Sequence, residues 1–280
     1  MTSSSAWILF EAPSSVRFAW DAKSTILRRP PFVSAESRTL LGRYFAYPLL
    51  VVGDDVTTDH LSPASAIPRD SMIADYLVEC GENRDDLNVF ASRRGNWEVM
   101  VRAAFYNRSL VNLLAPGVPV GHTIHTPSGE VVPISMAAQR YRDEGEAVVL
   151  VAGHRFGTGS SRDWAAKGQA LLGIRAVLAS SFERIHRSNL IGMGILPLTL
   201  PAYAGPRELA LLPGDRIEID APPESLFPNA PIAVAILRLD GSREPLVATA
   251  AVQTRQEAEL LQEGGMLPAI LRRHLSAPAS

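Results

Sequence analysis

The stretch that most restricts what this chain can become is an apolar run, residues 147–152 (AVVLVA), followed by Gly153-His154-Arg155-Phe156-Gly157-Thr158-Gly159-Ser160-Ser161-Arg162-Asp163. A helix-forming run from Trp164 to Leu172 comes next, then Gly173, then a second β-rich run over 174–179. Strand, glycine loop, helix, strand is the order of a right-handed βαβ unit. It puts the loop at the carboxyl end of the first strand, where open α/β sheets bind ligands. Ser160 is expected to cap the helix, with Asp163 completing a capping-box-like pair. Helix N-terminal N–H groups lack intrahelical partners and favour an anion, and Arg162 adds a planar fork that can grip a carboxylate through two hydrogen bonds. The loop therefore suits a carboxylate or a phosphate; the plainer alternative is a capped βα turn without a ligand.

Three familiar motifs fail on spacing. Gly157-x-Gly159 is followed by Arg162 where a dinucleotide fingerprint needs its third glycine, and no Gly-Lys-Ser/Thr follows Gly153 as a P-loop would require. Neither serine has glycines two residues away on both sides, which excludes a hydrolase nucleophile elbow.

With 280 residues the chain has room for one large domain, or one domain and an extension. A formal net charge of −2 argues against a broad basic face for nucleic acid. The single cysteine, Cys80, excludes an internal disulfide and cannot ligate an iron–sulfur cluster alone. Near the end of a helix-like run, Cys80 reads as a small buried residue. No run approaches the length needed to span a bilayer and no secretory signal is evident, so the expected location is the cytoplasm and no membrane partner is expected.

Residues 1–42 show apolar and aromatic side chains (Trp7, Ile8, Leu9, Phe10, Phe18, Trp20) without a period, which reads as an extended, linker-like segment that packs against something else. A buried strand is expected over 47–52, followed by a polar loop containing Asp59 and His60, which form an acid–base pair or serve local turns and caps. Helices are expected over 71–80, 97–105 and 134–144, the last burying Ile134, Ala137, Ala138 and Tyr141 at 3–4 spacing. Arg93 and Arg94, beside Gly95 and before a helix, make a second candidate anion clamp. Residues 126–130 read as a hairpin turn, and further strands are expected over 215–220, 231–239 and 244–250. Phe182, Ile185, His186 and Asn189 fall on one helical face, with His186 as a hydrogen-bonded core residue. Two helical runs, 257–261 and 267–275, flank Gly264-Gly265.

Four strings, GDDVTTDHLSPAS (53–65), SRRGNWEVM (92–100), GTGSSRDWAAKG (157–168) and SFERIHRSNLIGMGILPL (181–198), resemble the C-terminal swivel domain of the aconitase family, in the family's order and over roughly residues 44–275. AWDAKSTILRRPPF (19–32) resembles the segment that leads into that domain in single-chain bacterial aconitases. The resemblance implies an α/β fold: a swivelling three-layer β/β/α domain over residues 43–275, preceded by an extended segment (1–42) and followed by a tail (276–280). It also implies reversible dehydration and rehydration of hydroxy-di- and tricarboxylic acids at a [4Fe–4S] cluster, one iron of which acts as Lewis acid on the substrate hydroxyl. By motif match Ser160 is the general base, Ser161, Arg162 and Arg94 bind substrate carboxylate, and Asp59, His60 and Gly159 support them.

The family's cluster cysteines belong to domains that this chain lacks, so it holds no metal of its own under this reading. Its expected partners are a cluster-bearing large subunit or N-terminal aconitase domains, and a di- or tricarboxylate substrate. The implied substrates are citrate/isocitrate through cis-aconitate, a 2-methylcitrate analogue, or isopropylmalate, with the motif set closer to aconitase. The alternatives are an RNA-binding regulator, which the absence of a basic stripe disfavours, and an inactive remnant.

Overall fold

The structure, a computed structural model, describes residues 17–32 and 34–276. Expectations that fall on Trp7, Ile8, Leu9, Phe10 and residues 277–280 lie outside the described residues.

The central unit is as its pattern implies. β4 (Ala147–Ala152), α5 (Trp164–Leu171) and β5 (Ile174–Ala179) follow one another, with β4 and β5 parallel. β4 shows no polar alternation because both of its faces are covered. Val149 and Val151 join one apolar cluster, while Val148, Leu150 and Ala152 join another under the helices. β1 (Gly42–Val51) lies parallel to β4 on the other side, and β6 (Leu196–Thr199) extends the parallel set beyond β5. β7 (Arg216–Ala221), β8 (Pro231–Leu237) and β9 (Arg243–Ala250) form an antiparallel meander. β9 pairs with β6 and β7 with β1, so the sheet closes as a barrel in the order β1-β4-β5-β6-β9-β8-β7. The meander does alternate: Leu246, Ala248 and Ala250 are buried, and Val247 is exposed.

Helices cover the parallel strands. α4 (Ile134–Asp143) buries Ile134, Ala137, Ala138 and Tyr141, the expected face, after the antiparallel hairpin β2 (His122–His125) and β3 (Glu130–Pro133). α2 (Met72–Glu79) is capped by Ser71, and with α3 (Trp97–Ala103) it forms a smaller core around Ile73, Leu77, Phe90 and Val99. Cys80 ends α2 and is exposed, contrary to the expectation of burial, because it stands past the last buried position of that helix, Leu77.

α6 (Arg184–Gly192) buries His186, Arg187, Leu190 and Ile191, whereas Ile185 is exposed. The expected face was displaced because Phe182 precedes the helix, in a bridge with Phe156. α8 (Arg255–Gln262) supplies Glu257, whose carboxylate takes two hydrogen bonds from the buried Arg187 guanidinium, at 2.7 and 3.0 Å. Of the elements with no clear sequence signal, α1 (Thr58–Leu61) and α7 (Pro206–Leu209) are single turns. The last helix, α9 (Met266–Ser276), follows Gly264-Gly265 as expected. Among the described residues, no helix is long and apolar enough to cross a membrane.

Candidate active site at the ends of the parallel strands

The loops after β1, β4 and β5 lie side by side, continuing the parallel pairing of their strands. Gly153 N–H donates to Gly53 C=O at 3.1 Å, Asp55 N–H to His154 C=O at 2.9 Å, Gly157 N–H to Val56 C=O at 2.8 Å and Thr58 N–H to Thr158 C=O at 2.8 Å. On the far side Phe156 N–H donates to Ser181 C=O at 3.0 Å. Arg155 takes a left-handed backbone (φ 54°) and its guanidinium forks onto the Asp55 carboxylate at 2.6 Å through both Nε and Nη2. That bond holds the Asp55 carboxyl below the usual carboxylate range.

Gly157 must be glycine on two counts. Its φ is +83°, and a Cβ there would stand 2.2 Å from the His186 ring. His186 is 1% exposed, lies edge-on to Phe156, and shares a 3.1 Å hydrogen bond with the Gln169 amide. Burial pushes its pKa down to about 3, so it is a neutral core residue under the loop, as the sequence implied.

Ser160 is not the helix cap. Asp163 occupies the N-cap position without a side-chain cap bond, and its carboxylate instead pairs with Lys167 at 2.6 Å. The cause is local: Arg162 N–H turns back to Ser160 C=O at 2.8 Å, so the chain becomes helical only at Trp164. Ser160 and Ser161 are exposed, and their hydroxyls have no partner among the described residues. The backbone N–H groups of Gly159, Ser160, Ser161, Asp163 and Trp164 likewise donate to no acceptor among them. Undonated N–H groups just before a helix favour an anion.

Arg162 and Asp59 meet. Arg162 Nη1 donates to the Asp59 carboxylate and to Ser62 C=O, the latter at 3.1 Å. His60 does not pair with Asp59. Its Nδ1 accepts the Thr57 N–H at 2.9 Å, so Nε2 carries the proton and donates to Ser109 Oγ at 2.8 Å. His60 thus completes the capping box of α1, the local role that was the alternative for it.

Two hydroxyls beneath the loop carried no separate sequence signal: Thr58 Oγ1 and Ser62 Oγ are buried without a hydrogen-bond partner. Thr58 Oγ1 lies 3.2 Å from where a Gly159 Cβ would be, so any side chain at Gly159 would crowd that hydroxyl.

Arg93 and Arg94 are not a joint clamp. Arg93 is 3% exposed and donates to Glu82 at 2.9 Å and to Leu87 C=O at 3.2 Å. Arg94, at the end of the 3₁₀ turn over 90–93, is half-buried, and its Nε is buried without a partner. No hydrogen bond or ion pair among the described residues joins Arg94 to the loop, although α3, just beyond it, packs on α5.

Residues 73–203 match the Aconitase C-terminal domain family. The chain belongs to the aconitase family. Aconitate hydratase A of Pseudomonas aeruginosa is 42% identical over 272 residues, covering 96% of this chain and 30% of that protein. Phosphinomethylmalate isomerase of Streptomyces viridochromogenes is 42% identical over 275 residues, covering 97% of this chain and 30% of that protein. This aconitase-family chain thus spans under a third of the length of the curated relatives it matches. A solved 3-isopropylmalate dehydratase from Methanocaldococcus jannaschii aligns with 84% of this chain and 95% of its own, at a TM-score of 0.43 and 21% identity.

The family implies a [4Fe–4S] cluster, and the residues of this chain do not fit one. Such a cluster takes three or four thiolates, and the chain has one cysteine. Among the described residues, no group of three or more His, Cys, Asp or Glu could hold a metal ion. What this aconitase domain offers is a cradle of N–H groups, two free serine hydroxyls and arginines.

Proposed function

We propose that this chain is the C-terminal, small-subunit-like part of an aconitase-type hydro-lyase, a swivelling β/β/α three-layer unit that closes over a hydroxy-tricarboxylic acid held by its partner. The substrate class is citrate/isocitrate through cis-aconitate, or a 2-methylcitrate analogue. The cluster-bearing partner is a large subunit or a set of preceding aconitase domains. The names of the relatives, aconitate hydratase and phosphinomethylmalate isomerase, support a polycarboxylate.

The observation that carries the proposal is the convergence, on one loop, of undonated N–H groups, the free hydroxyls of Ser160 and Ser161, and Arg162. Arg162 already grips a carboxylate, that of Asp59, and a substrate carboxylate takes the same donors. Ser161 adds a hydroxyl donor and Arg94 a second guanidinium, with Asp59, His60 and Gly159 as support. Ser160 Oγ, as alkoxide, removes the proton from the carbon next to a substrate carboxylate. That C–H electron pair becomes the double bond as the hydroxyl on the neighbouring carbon departs with the C–O pair as hydroxide, for which the partner's cluster would supply the Lewis acid.

A serine base needs strong help, because a helix N-terminus contributes at most about 2 kcal/mol, or roughly 1.5 pKa units. Ser160 lies ahead of α5 and receives less than a capping residue would. Arg162, the loop N–H groups and exclusion of water must supply most of the stabilisation. Both serines are exposed in this chain alone, so closure by the partner is required.

Ser160→Ala in the assembled enzyme tests the assignment. Loss of a general base lowers kcat by about 10²–10⁴ with KM little changed. Ser161→Ala should weaken binding more than turnover. A normal kcat for Ser160→Ala with the cluster fully loaded refutes the base.

A further inference from the structure

The segment ahead of β1 is bound to the chain's own Arg94 loop. Thr25 donates its hydroxyl to Glu82, and Arg93 Nη1 donates to Thr25 Oγ1 at 3.1 Å and to Glu82 at 2.9 Å. Asn96, which caps α3 through its Oδ1, spends its Nδ2 on Thr25 C=O at 2.9 Å. Arg28 N–H donates to Gly95 C=O at 2.9 Å, and the Arg28 guanidinium reaches Glu98 at 3.1 Å, the carboxylate that also takes the Tyr76 hydroxyl. At Gly95 the two segments are so close that a Cβ would stand 2.6 Å from both Ile26 C=O and Leu27 Cδ2.

These contacts fall on the residues either side of Arg94 and spare Arg94 itself. Arg93 and Asn96 are 3% and 1% exposed, whereas the Arg94 guanidinium has no carboxylate partner among the described residues. A long, unpaired side chain is placed through its backbone, and here the neighbours on both sides are tied to residues 25–28, Arg93 through its guanidinium and Gly95 through its C=O. We infer that residues 25–28 form a strap that sets the position of Arg94, making Thr25 and Gly95 positioning residues for substrate binding. The inference rests on the reading of Arg94 as a substrate-binding arginine. Displacing a binding group by about 1 Å can cost up to about 10²-fold in rate. The carboxyl of Glu82 is held below its usual range by the Arg93 hydrogen bond and then by that of Thr25, as expected for a joint formed around an ionised carboxylate.

The test combines kinetics with amide hydrogen exchange. Thr25→Val removes the hydroxyl that links Glu82 and Arg93, Thr25→Ser restores it, and Gly95→Ala wedges the strap away. Citrate kinetics are measured on the full chain assembled with the cluster-bearing partner, and exchange over 93–96 on the full chain itself. Expected are faster exchange over 93–96, a KM raised about tenfold and kcat within about twofold for Thr25→Val and Gly95→Ala, with wild-type values for Thr25→Ser. Arg94→Lys is the control. If Arg94→Lys raises KM and Thr25→Val does not, the strap inference alone is overturned. If Arg94→Lys leaves KM unchanged, the assignment of Arg94 to substrate fails and takes the inference with it. Should Gly95→Ala fail to fold, the Thr25→Val and Thr25→Ser pair decides the matter.

Discussion

Acidification should destabilise this protein well before its carboxylates protonate, and His186 is the reason. The imidazole is buried against Gly157 and Phe156, with Nδ1 unpartnered and a pKa pushed down to about 3. In the unfolded chain a histidine titrates near 6.5. Between those values the unfolded state binds a proton that the folded state refuses, so stability rises with pH through this window and is lost as pH falls below about 6.5. From pH 7 to pH 5 the linkage amounts to roughly 2 kcal/mol, and any folded pKa below about 4 gives nearly the same figure. Urea unfolding of the full chain at pH 7 and pH 5, for wild type and His186→Gln, isolates this contribution from the other histidines. The variant should be less stable at pH 7 through lost packing, yet lose roughly 2 kcal/mol less on acidification. Equal pH dependence in the two proteins, or a His186 imidazole resonance, assigned by its loss in His186→Gln, that titrates near 6.5 in the folded wild type, would refute the reasoning.

Arg162→Lys keeps the charge but loses the fork, and should raise KM in the assembled enzyme more than it lowers kcat; unchanged kinetics would leave Arg162 only its Asp59 and Ser62 contacts. Gly157→Ala meets both a positive φ and a 2.2 Å contact with His186, so a loss of about 2 kcal/mol or more is expected in thermal or urea unfolding. Reconstitution of the isolated chain with iron and sulfide should yield no stoichiometric cluster by iron analysis or visible absorbance.

The readable parts of the sequence were those whose signal is local. The central unit appeared with its observed strands because Gly153 and Gly173 bound apolar runs of strand length, and the face of α4 followed from spacing alone. Ser160 was misread because serine and aspartate carry the same capping chemistry, and choosing between them depends on the turn that Arg162 makes toward Ser160. The helical face around His186 slipped because Phe182 looks helical in sequence but is engaged with Phe156 across the loop. Arg93 and Arg94 are indistinguishable as letters; Glu82 and Thr25, distant in sequence, bury one and leave the other unpaired. The Arg162–Asp59 pair joins two separately recognised motifs, which no local pattern could connect.

Barrel closure also dictates when this protein can finish folding. The closing pair joins β1 to β7, and its ion pair Arg43–Glu218 spans 175 positions of chain. A ribosome working at about 5–20 residues per second delivers β7 roughly 10–35 s after β1. Throughout that interval β1 carries an unsatisfied edge of backbone donors and acceptors, as does β6 until β9 arrives. A nascent chain stalled before residue 216 is therefore an open sheet with two adhesive rims, and chaperone capture or aggregation should be concentrated in that window of synthesis.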